Sequence, residues 1–248
     1  MTKQPAKPDD TVWQTADLTQ TYLKGIRSAI PLAQEQINVM LRLIRAACPK
    51  VTAVLDLGCG DGILGHAILN TWPDAQGVFL DFSAPMLQAA AKRLANMSER
   101  VVFVQTDYGQ RGWKKLLPIT EYDVIVSGYS IHHQPDRRKR ELYAELFHLL
   151  KPGGIFVNVE HVASRSKWGE KVFDEHFIDA LYDFHRRQGS AKSREEIAQI
   201  YYNRPDKAAN ILTPVEIQCD WLRELGFVHV DCYLKIFELA VFAGIKPS

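Results

Sequence analysis

Val51-Thr-Ala-Val-Leu-Asp-Leu57 runs almost wholly apolar into Gly58-Cys-Gly-Asp-Gly62. A short apolar run closed by glycine reads as a strand buried on both faces, as a parallel sheet requires. The glycines let the backbone turn tightly at the strand end and come close to a ligand. Ile63–Asn70 then reads as a helix, so the stretch predicts strand, loop and helix in sequence.

The same rhythm continues downstream. Gly77–Leu80 reads as a second strand and Ser83–Met97 as its helix. Val101–Gln105 is a third strand, Tyr122–Ser127 a fourth, and Asp136–Leu150 the helix after it. Leu150-Lys-Pro-Gly-Gly154 reads as a helix stop and turn, and Ile155–Glu160 as a fifth strand. A helix over Thr213–Leu225 precedes two strands, Phe227–Leu234 and Phe237–Ile245, with only Lys235 and Ile236 between them. So short a connection predicts an antiparallel hairpin. The expected fold is therefore α/β, a doubly wound, seven-stranded and mostly parallel sheet.

Three segments stand outside the alternation. Residues 1–12 are polar and proline-bearing and are expected to form a disordered tail. Thr15–Cys48 is helical in pattern, broken at Pro31, with Val39, Leu41, Leu43 and Ile44 laying one helix on the domain. His161–Asn210 is helical, charged and aromatic, and is expected to be a helical lid inserted into a single domain of residues 13–248.

Composition narrows the function classes. Of 248 residues, 46% are hydrophobic and 24% charged, the profile of a globular protein. With 30 basic and 29 acidic residues the formal net charge is +1, which gives a nucleic-acid partner no support. The densest basic run, Arg137, Arg138, Lys139 and Arg140, reads as the solvated first turns of a helix. Cys48, Cys59, Cys219 and Cys232 form no C-x-x-C pair and no zinc-spaced cluster. They read as free thiols in a reducing compartment, with the cytoplasm as the default address and no metal expected. No apolar run approaches the roughly 18 residues of a membrane span.

In a doubly wound sheet, nucleotide ligands bind beyond the carboxyl ends of the strands. The glycines here are spaced G-x-G-x-G; a dinucleotide fingerprint would need its third glycine at Ile63. The absence of G-K-[ST] excludes a triphosphate-binding loop. Asp61 makes the loop a poor cradle for pyrophosphate and a better one for a ligand carrying sulfonium and ammonium charges. Asp81, after the second strand, is placed to accept from both ribose hydroxyls of a nucleoside. Phe82 can pack on the adenine. Asp107, just after the third strand and followed by Tyr108, can accept from the adenine amino group.

Asp56–Gly62, Asp81, Asp107, the strand Tyr122–Ser127 and the turn Leu150–Gly154, in that order, resemble class I S-adenosylmethionine-dependent methyltransferases. The resemblance implies a Rossmann-like fold, S-adenosyl-L-methionine as cofactor, and methyl transfer to an oxygen, nitrogen or carbon of a small molecule. It implies that Asp56, Gly58, Cys59 and Gly60 hold the methionine part, and that Asp81 holds the ribose. It also implies that Asp107 and Tyr108 bind the adenine and that the backbone around Ser127 lines the methionine moiety, with Phe82 and Met86 completing the cofactor set. Arg27, ahead of the first strand, is the candidate clamp for the methionine carboxylate. Asp56 has a second reading as a tie for the loop, Asp107 as a helix cap, Cys59 as a small buried spacer and Arg27 as a surface residue.

On the acceptor side, Tyr129, His132 and His133 follow the fourth strand and are the candidate catalytic bases. Glu160 and His161 end the fifth strand on the same edge and are candidate acceptor contacts. So are Trp168, Tyr201 and Arg204 of the insertion, whose aromatics otherwise read as its core and rim. A second resemblance is to carboxy-S-adenosylmethionine synthase, which shares the fold but carboxylates the sulfonium ligand using prephenate. It rests on Phe184-His-Arg-Arg-Gln-Gly189, Arg194-Glu-Glu-Ile197, Arg204, Thr213–Phe227 and the final hairpin. It implies that Arg204 holds the ligand's carboxylate, but Gly58-Cys-Gly-Asp-Gly62 departs from that family's loop. A non-catalytic protein using the same cofactor pocket is the remaining alternative.

Overall fold

The computed structural model describes residues 29–204, 207 and 209–248. Arg27, the tail over residues 1–12 and the first part of the Thr15–Cys48 segment lie outside the described residues.

Alternation within β1 (Ala53–Leu57) sets the two-faced architecture. Ala53, Leu55 and Leu57 point into one core; Val54 points into the other, because successive strand side chains leave on opposite faces. The first core is closed by α4 (Asp136–Leu149) and α7 (Val215–Glu224), which contribute Leu142, Tyr143, Leu146 and Leu222. The second is closed by α1 (Ala33–Ala47), α2 (Ile63–Thr71) and α3 (Ala84–Arg93), through Met40, Ile44, Ile68 and Ala90. The remaining strands are β2 (Gln76–Asp81), β3 (Val101–Gln105), β4 (Tyr122–Gly128), β5 (Leu150–His161), β6 (Val228–Ile236) and β7 (Leu239–Ile245).

The sheet order is β3-β2-β1-β4-β5-β7-β6. β1 to β5 pair in parallel, and β7 runs antiparallel to both β5 and β6. The doubly wound, seven-stranded, mostly parallel sheet is the one the sequence predicts. Its strand order reverses between β1 and β4, which opens a crevice at their carboxyl ends. Asp123, near the start of β4, clips the opposite ends of these two strands: its Oδ2 accepts from the amides of Thr52 (2.7 Å) and Ala53 (2.9 Å).

Three local expectations need correction. Leu150–Gly154 is not a free turn after the helix but the start of β5. Leu150 pairs with Tyr122, and the register resumes at Ile155 opposite Val124 across an irregularity holding Gly153 at φ 77°. The helix expected over Ser83–Met97 ends at Arg93, and a 3-10 turn with Met97 out of helical geometry follows. The hairpin turns at Phe237 and Glu238, not at Lys235 and Ile236, which still pair with Ala240 and Leu239.

The insertion is helical, formed by α5 (Lys167–Arg187) and α6 (Arg194–Tyr202). α6 starts on a capping box between Ser193 and Glu196. Phe173, Phe177, Ile178, Leu181, Ile197 and Tyr201 form their own core with Leu239, seating the pair on the hairpin end.

α2 approaches the sheet so closely that a Cβ on Gly65 would lie 2.3 Å from the Phe79 ring and 2.9 Å from Asp56 Oδ2. Gly65→Ala is expected to destabilise the fold by about 1–3 kcal/mol, the usual cost of overpacking a core. A urea titration checks it, and an unchanged midpoint would show that the α2 contact is loose.

Candidate active site

The glycine loop leaves β1 with Gly58, Gly60 and Gly62 at φ 65°, 54° and 76°, left-handed conformations that side chains resist. A Cβ on Gly58 would fall 1.9 Å from Ser130 Oγ, in the loop after β4. Asp56 is buried and its Oδ2 accepts from the Gly65 amide at 2.8 Å, tying β1 to the first turn of α2. Asp81 ends β2: Oδ2 accepts from the Gly60 amide and Oδ1 from the Ser83 amide, both at 2.9 Å. Burial pushes its pKa up to about 6 despite these bonds.

These elements border a cavity of about 360 Å³. Asp56, Gly58, Cys59, Gly60, Asp81, Phe82, Met86, Tyr129 and His133 all line it. The wall from α1, with Ala33, Gln36 and Ile37, has no motif and was not foreseen from sequence. Tyr129 joins that wall to the strand ends: at φ 50° it donates its hydroxyl to Gln36 Oε1 at 2.6 Å. Asp61 also lines the cavity, but its carboxylate pairs with Arg93, so its charge is not presented alone to a ligand. Cys59 is a buried spacer whose thiol pKa is raised by burial and then by Asp81 and Asp56.

Several expected residues stand off the cavity wall. Ser127 lies beneath it, donating to the Leu57 carbonyl at 2.8 Å, and the lining segment is Gly128–Ser130 instead. Asp107 closes a turn by accepting from the Gly109 amide at 2.7 Å. Tyr108 is buried, its hydroxyl 2.7 Å from Ser130 Oγ. Trp168 is 76% exposed near the start of α5, away from the cavity. Tyr201 is packed in the insertion core and donates to Asp174. Arg204 lies 4.2 Å over the Tyr201 ring.

The two adjacent histidines divide in role. His132 is buried, with Nδ1 2.6 Å from Glu160 Oε1 and its amide donating to Glu160 Oε2. Burial, followed by His161 and Lys139, lowers its pKa well below the ordinary value. Glu160 is fully buried, and desolvation lifts it to about 7. His161 is 3.0 Å from Glu238 on the hairpin turn. His133 has its Nδ1 3.1 Å from the Ala209 carbonyl. A carbonyl only accepts, so Nδ1 carries the hydrogen and Nε2 is the basic nitrogen.

Glu160 takes up its proton at higher pH when folded than when unfolded. Its contribution to stability is therefore full below about pH 4.5 and is lost as the pH rises through about 7. Relative to Glu160→Gln, the wild-type protein should lose stability between those limits. Parallel stability–pH curves for the two proteins would show that Glu160 titrates normally.

The family profile described as "Methyltransferase domain" matches residues 54–154. A carboxy-S-adenosyl-L-methionine synthase from Nautilia profundicola is 22% identical over 228 residues, covering 89% of this chain and 88% of its own. One from Desulforapulum autotrophicum is 26% identical, covering 90% and 86%. A malonyl-[acyl-carrier protein] O-methyltransferase 2 from Ilyobacter polytropus is 32% identical over 142 residues, 56% of this chain and 52% of that one. Among solved structures, an O-methyltransferase family protein from Burkholderia thailandensis aligns with TM-score 0.68 and 16% identity over 98% of this chain. Human N-acetylserotonin methyltransferase, in complex with SAM, aligns at 0.63 and 14% over 99%. The chain spans 64% and 61% of those two structures' lengths.

Proposed function

We propose that this chain, which belongs to the class I S-adenosylmethionine-dependent methyltransferases, transfers a methyl group to a small-molecule acceptor beside His133. The observation that carries the reading is Asp81 gathering the Gly60 and Ser83 amides at the rim of the cavity. A carboxylate has about four acceptor sites, so these bonds leave capacity for a ribose hydroxyl. Gly60 has open space beside it, since an added Cβ would meet nothing nearer than Met86 Sδ at 4.0 Å. The residues therefore fit S-adenosyl-L-methionine, which when bound supplies an electrophilic methyl group on a sulfonium. Phe82 and Met86 supply apolar surface for the adenine side. Asp56 holds the glycine loop, and Gly128–Ser130 border the opposite side.

The protein's own work is alignment, exclusion of water and proton removal. Holding donor and acceptor in line accounts for roughly 7–11 kcal/mol of barrier in well-oriented reactions. Of the three candidate bases, His133 lines the cavity and has its Nδ1 on the Ala209 carbonyl, which makes Nε2 its basic nitrogen. Tyr129 acts as a strut to α1, and His132 is committed to Glu160. Arg27 clamping the methionine carboxylate, and a cytoplasmic address with reduced thiols, complete the reading. Among the described residues no helix is long and apolar enough to cross a membrane, and no group of three or more metal-binding side chains gathers.

A second reading is supported by the carboxy-S-adenosylmethionine synthases that align along 89–90% of this chain, insertion included. Arg204, stacked over the Tyr201 ring of the insertion, is the arginine that this reading would assign to the ligand's carboxylate. Incubation with S-adenosylmethionine and prephenate, followed by mass analysis, tests this reading. A carboxylated sulfonium product would replace methyl transfer as the reaction.

Asp81→Ala should weaken S-adenosylmethionine binding at least about tenfold, from the roughly 1.5–3 kcal/mol of a hydrogen bond to a charged group. In the wild type the affinity should fall as the pH drops below about 6, where Asp81 takes up its proton. Calorimetry reads both effects; a pH-independent affinity would remove Asp81 from the ribose. His133→Gln should lower kcat by about 10²–10⁴-fold, the usual contribution of a general base. Its affinity for S-adenosylmethionine should change little. An unaltered kcat would leave proton removal to solvent or to the acceptor itself.

A further inference from the structure

The basic run Arg137–Arg140 is only half the solvated helix face its composition predicts: Arg137 and Arg140 are exposed, but Arg138 and Lys139 are not. Arg138 is buried and bonds Glu145 and the Tyr108 carbonyl. Lys139 is only 1% exposed. An ammonium taken wholly out of water costs several kcal/mol unless its hydrogen bonds are replaced. Here the replacement is complete. Lys139 Nζ has three donors, and they reach Asp136 Oδ1 (2.9 Å), Thr213 Oγ1 (2.6 Å) and the Ile211 carbonyl. Thr213 in turn donates to Asp136 Oδ1 at 2.5 Å, closing a ring of bonds. The acceptors come from the first turn of α4 and from the segment where the chain returns from the insertion.

That returning segment is also what the two histidines hold. The Ala209 carbonyl faces His133 Nδ1 at 3.1 Å, and the Ile211 amide donates to the His132 carbonyl at 2.9 Å. The Thr213 carbonyl accepts from the Ala163 amide at 3.1 Å, just beyond the end of β5. The segment that carries the Ala209 carbonyl is thus held at three places, the His132 carbonyl, the Ala163 amide and, through Lys139 and Asp136, the first turn of α4.

We infer that Lys139 is a positioning residue. By clamping the Ile211 carbonyl and Thr213 to α4, it keeps the Ala209 carbonyl on His133 Nδ1 and so fixes the tautomer and orientation of that ring. It does not line the cavity. The clamp joins the insertion's exit to the base, so the seating of the insertion and the state of His133 are one event. The inference rests on the reading of His133 as the base for its catalytic consequence, though not for its structural content.

The test uses the full-length protein with its histidine rings labelled with ¹⁵N, at a pH where the rings are neutral. In the wild type His133 should show the signature of a hydrogen on Nδ1. In Lys139→Met, which keeps an unbranched side chain one atom shorter and has no donor, that signature should be replaced by the averaged pattern of two exchanging tautomers. Thr213→Val removes one acceptor and the link to Asp136 while leaving the lysine, and should shift His133 the same way to a smaller extent. This keeps the inference testable if Lys139→Met fails to fold. Both variants should lose kcat, by about tenfold or more for Lys139→Met, with S-adenosylmethionine affinity within about twofold of wild type, since a base is worth about 10²–10⁴-fold. Unchanged His133 ring shifts in folded Lys139→Met or Thr213→Val would overturn the inference. If the shifts move while His133→Gln retains full kcat, the clamp stands and the assignment of His133 as base falls.

Discussion

Ser130 Oγ occupies the space a side chain on Gly58 would need, 1.9 Å from where its Cβ would lie. This close approach brings the end of β1 and the end of β4 together at the point where the strand order reverses. The loop after β4 is itself fixed there, by the Tyr108 hydroxyl on Ser130 Oγ and the Tyr129 amide on the Val159 carbonyl. The cavity is what remains between the two strand ends once the glycines have turned the chain away. Its depth depends on backbone conformations that a side chain would oppose, so the binding site and the fold share one geometric requirement.

The two sides of the crevice are built on different physics. On the cofactor side, backbone amides are gathered by buried carboxylates: Asp56 takes Gly65, and Asp81 takes Gly60 and Ser83. On the other side, buried ionisable side chains each find their own partner: Glu160 bonds His132, Lys139 bonds Asp136 and Glu238 bonds His161. Glu160, His132, Lys139 and Glu238 are each less than a tenth exposed. Such groups resist charging when desolvated, which is why His132 is driven toward its neutral form and Glu160 toward its protonated one. A dry polar network of this kind is stable only if its members are satisfied, and it is correspondingly stiff. Stiffness beside a reacting centre is useful, because an alignment error on the order of 1 Å is costly there.

The insertion contributes through its ends as much as its helices. Its own core of Phe173, Phe177, Ile178 and Tyr201 makes it a unit that rests on the hairpin end near Leu239. Its exit, residues 209–213, is stitched to α4, to the His132-His133 turn and to the end of β5. A helical excursion between β5 and α7 is thereby joined to the loop bearing His132 and His133 without placing its aromatic side chains on the cavity wall.

What the sequence determined by itself is local in its physics. Alternation and apolar runs located the strands, and glycine at left-handed positions located the loop. Carboxylates at strand ends marked Asp56 and Asp81, because each of these signals acts within a few residues of its cause. What only the tertiary structure decided depends on partners far along the chain. The wall from α1 is built by Gln36 meeting Tyr129, 93 positions away, and no motif announces it. His132 and His133 are neighbours with the same chemistry. They separate only because Glu160 reaches one and the Ala209 carbonyl the other. Lys139 sits in a run that composition alone assigns to solvent, and Thr213, 74 positions on, is part of what makes its burial tolerable. A buried charge is set by the sum of its distant acceptors, and that sum exists only once the chain has folded.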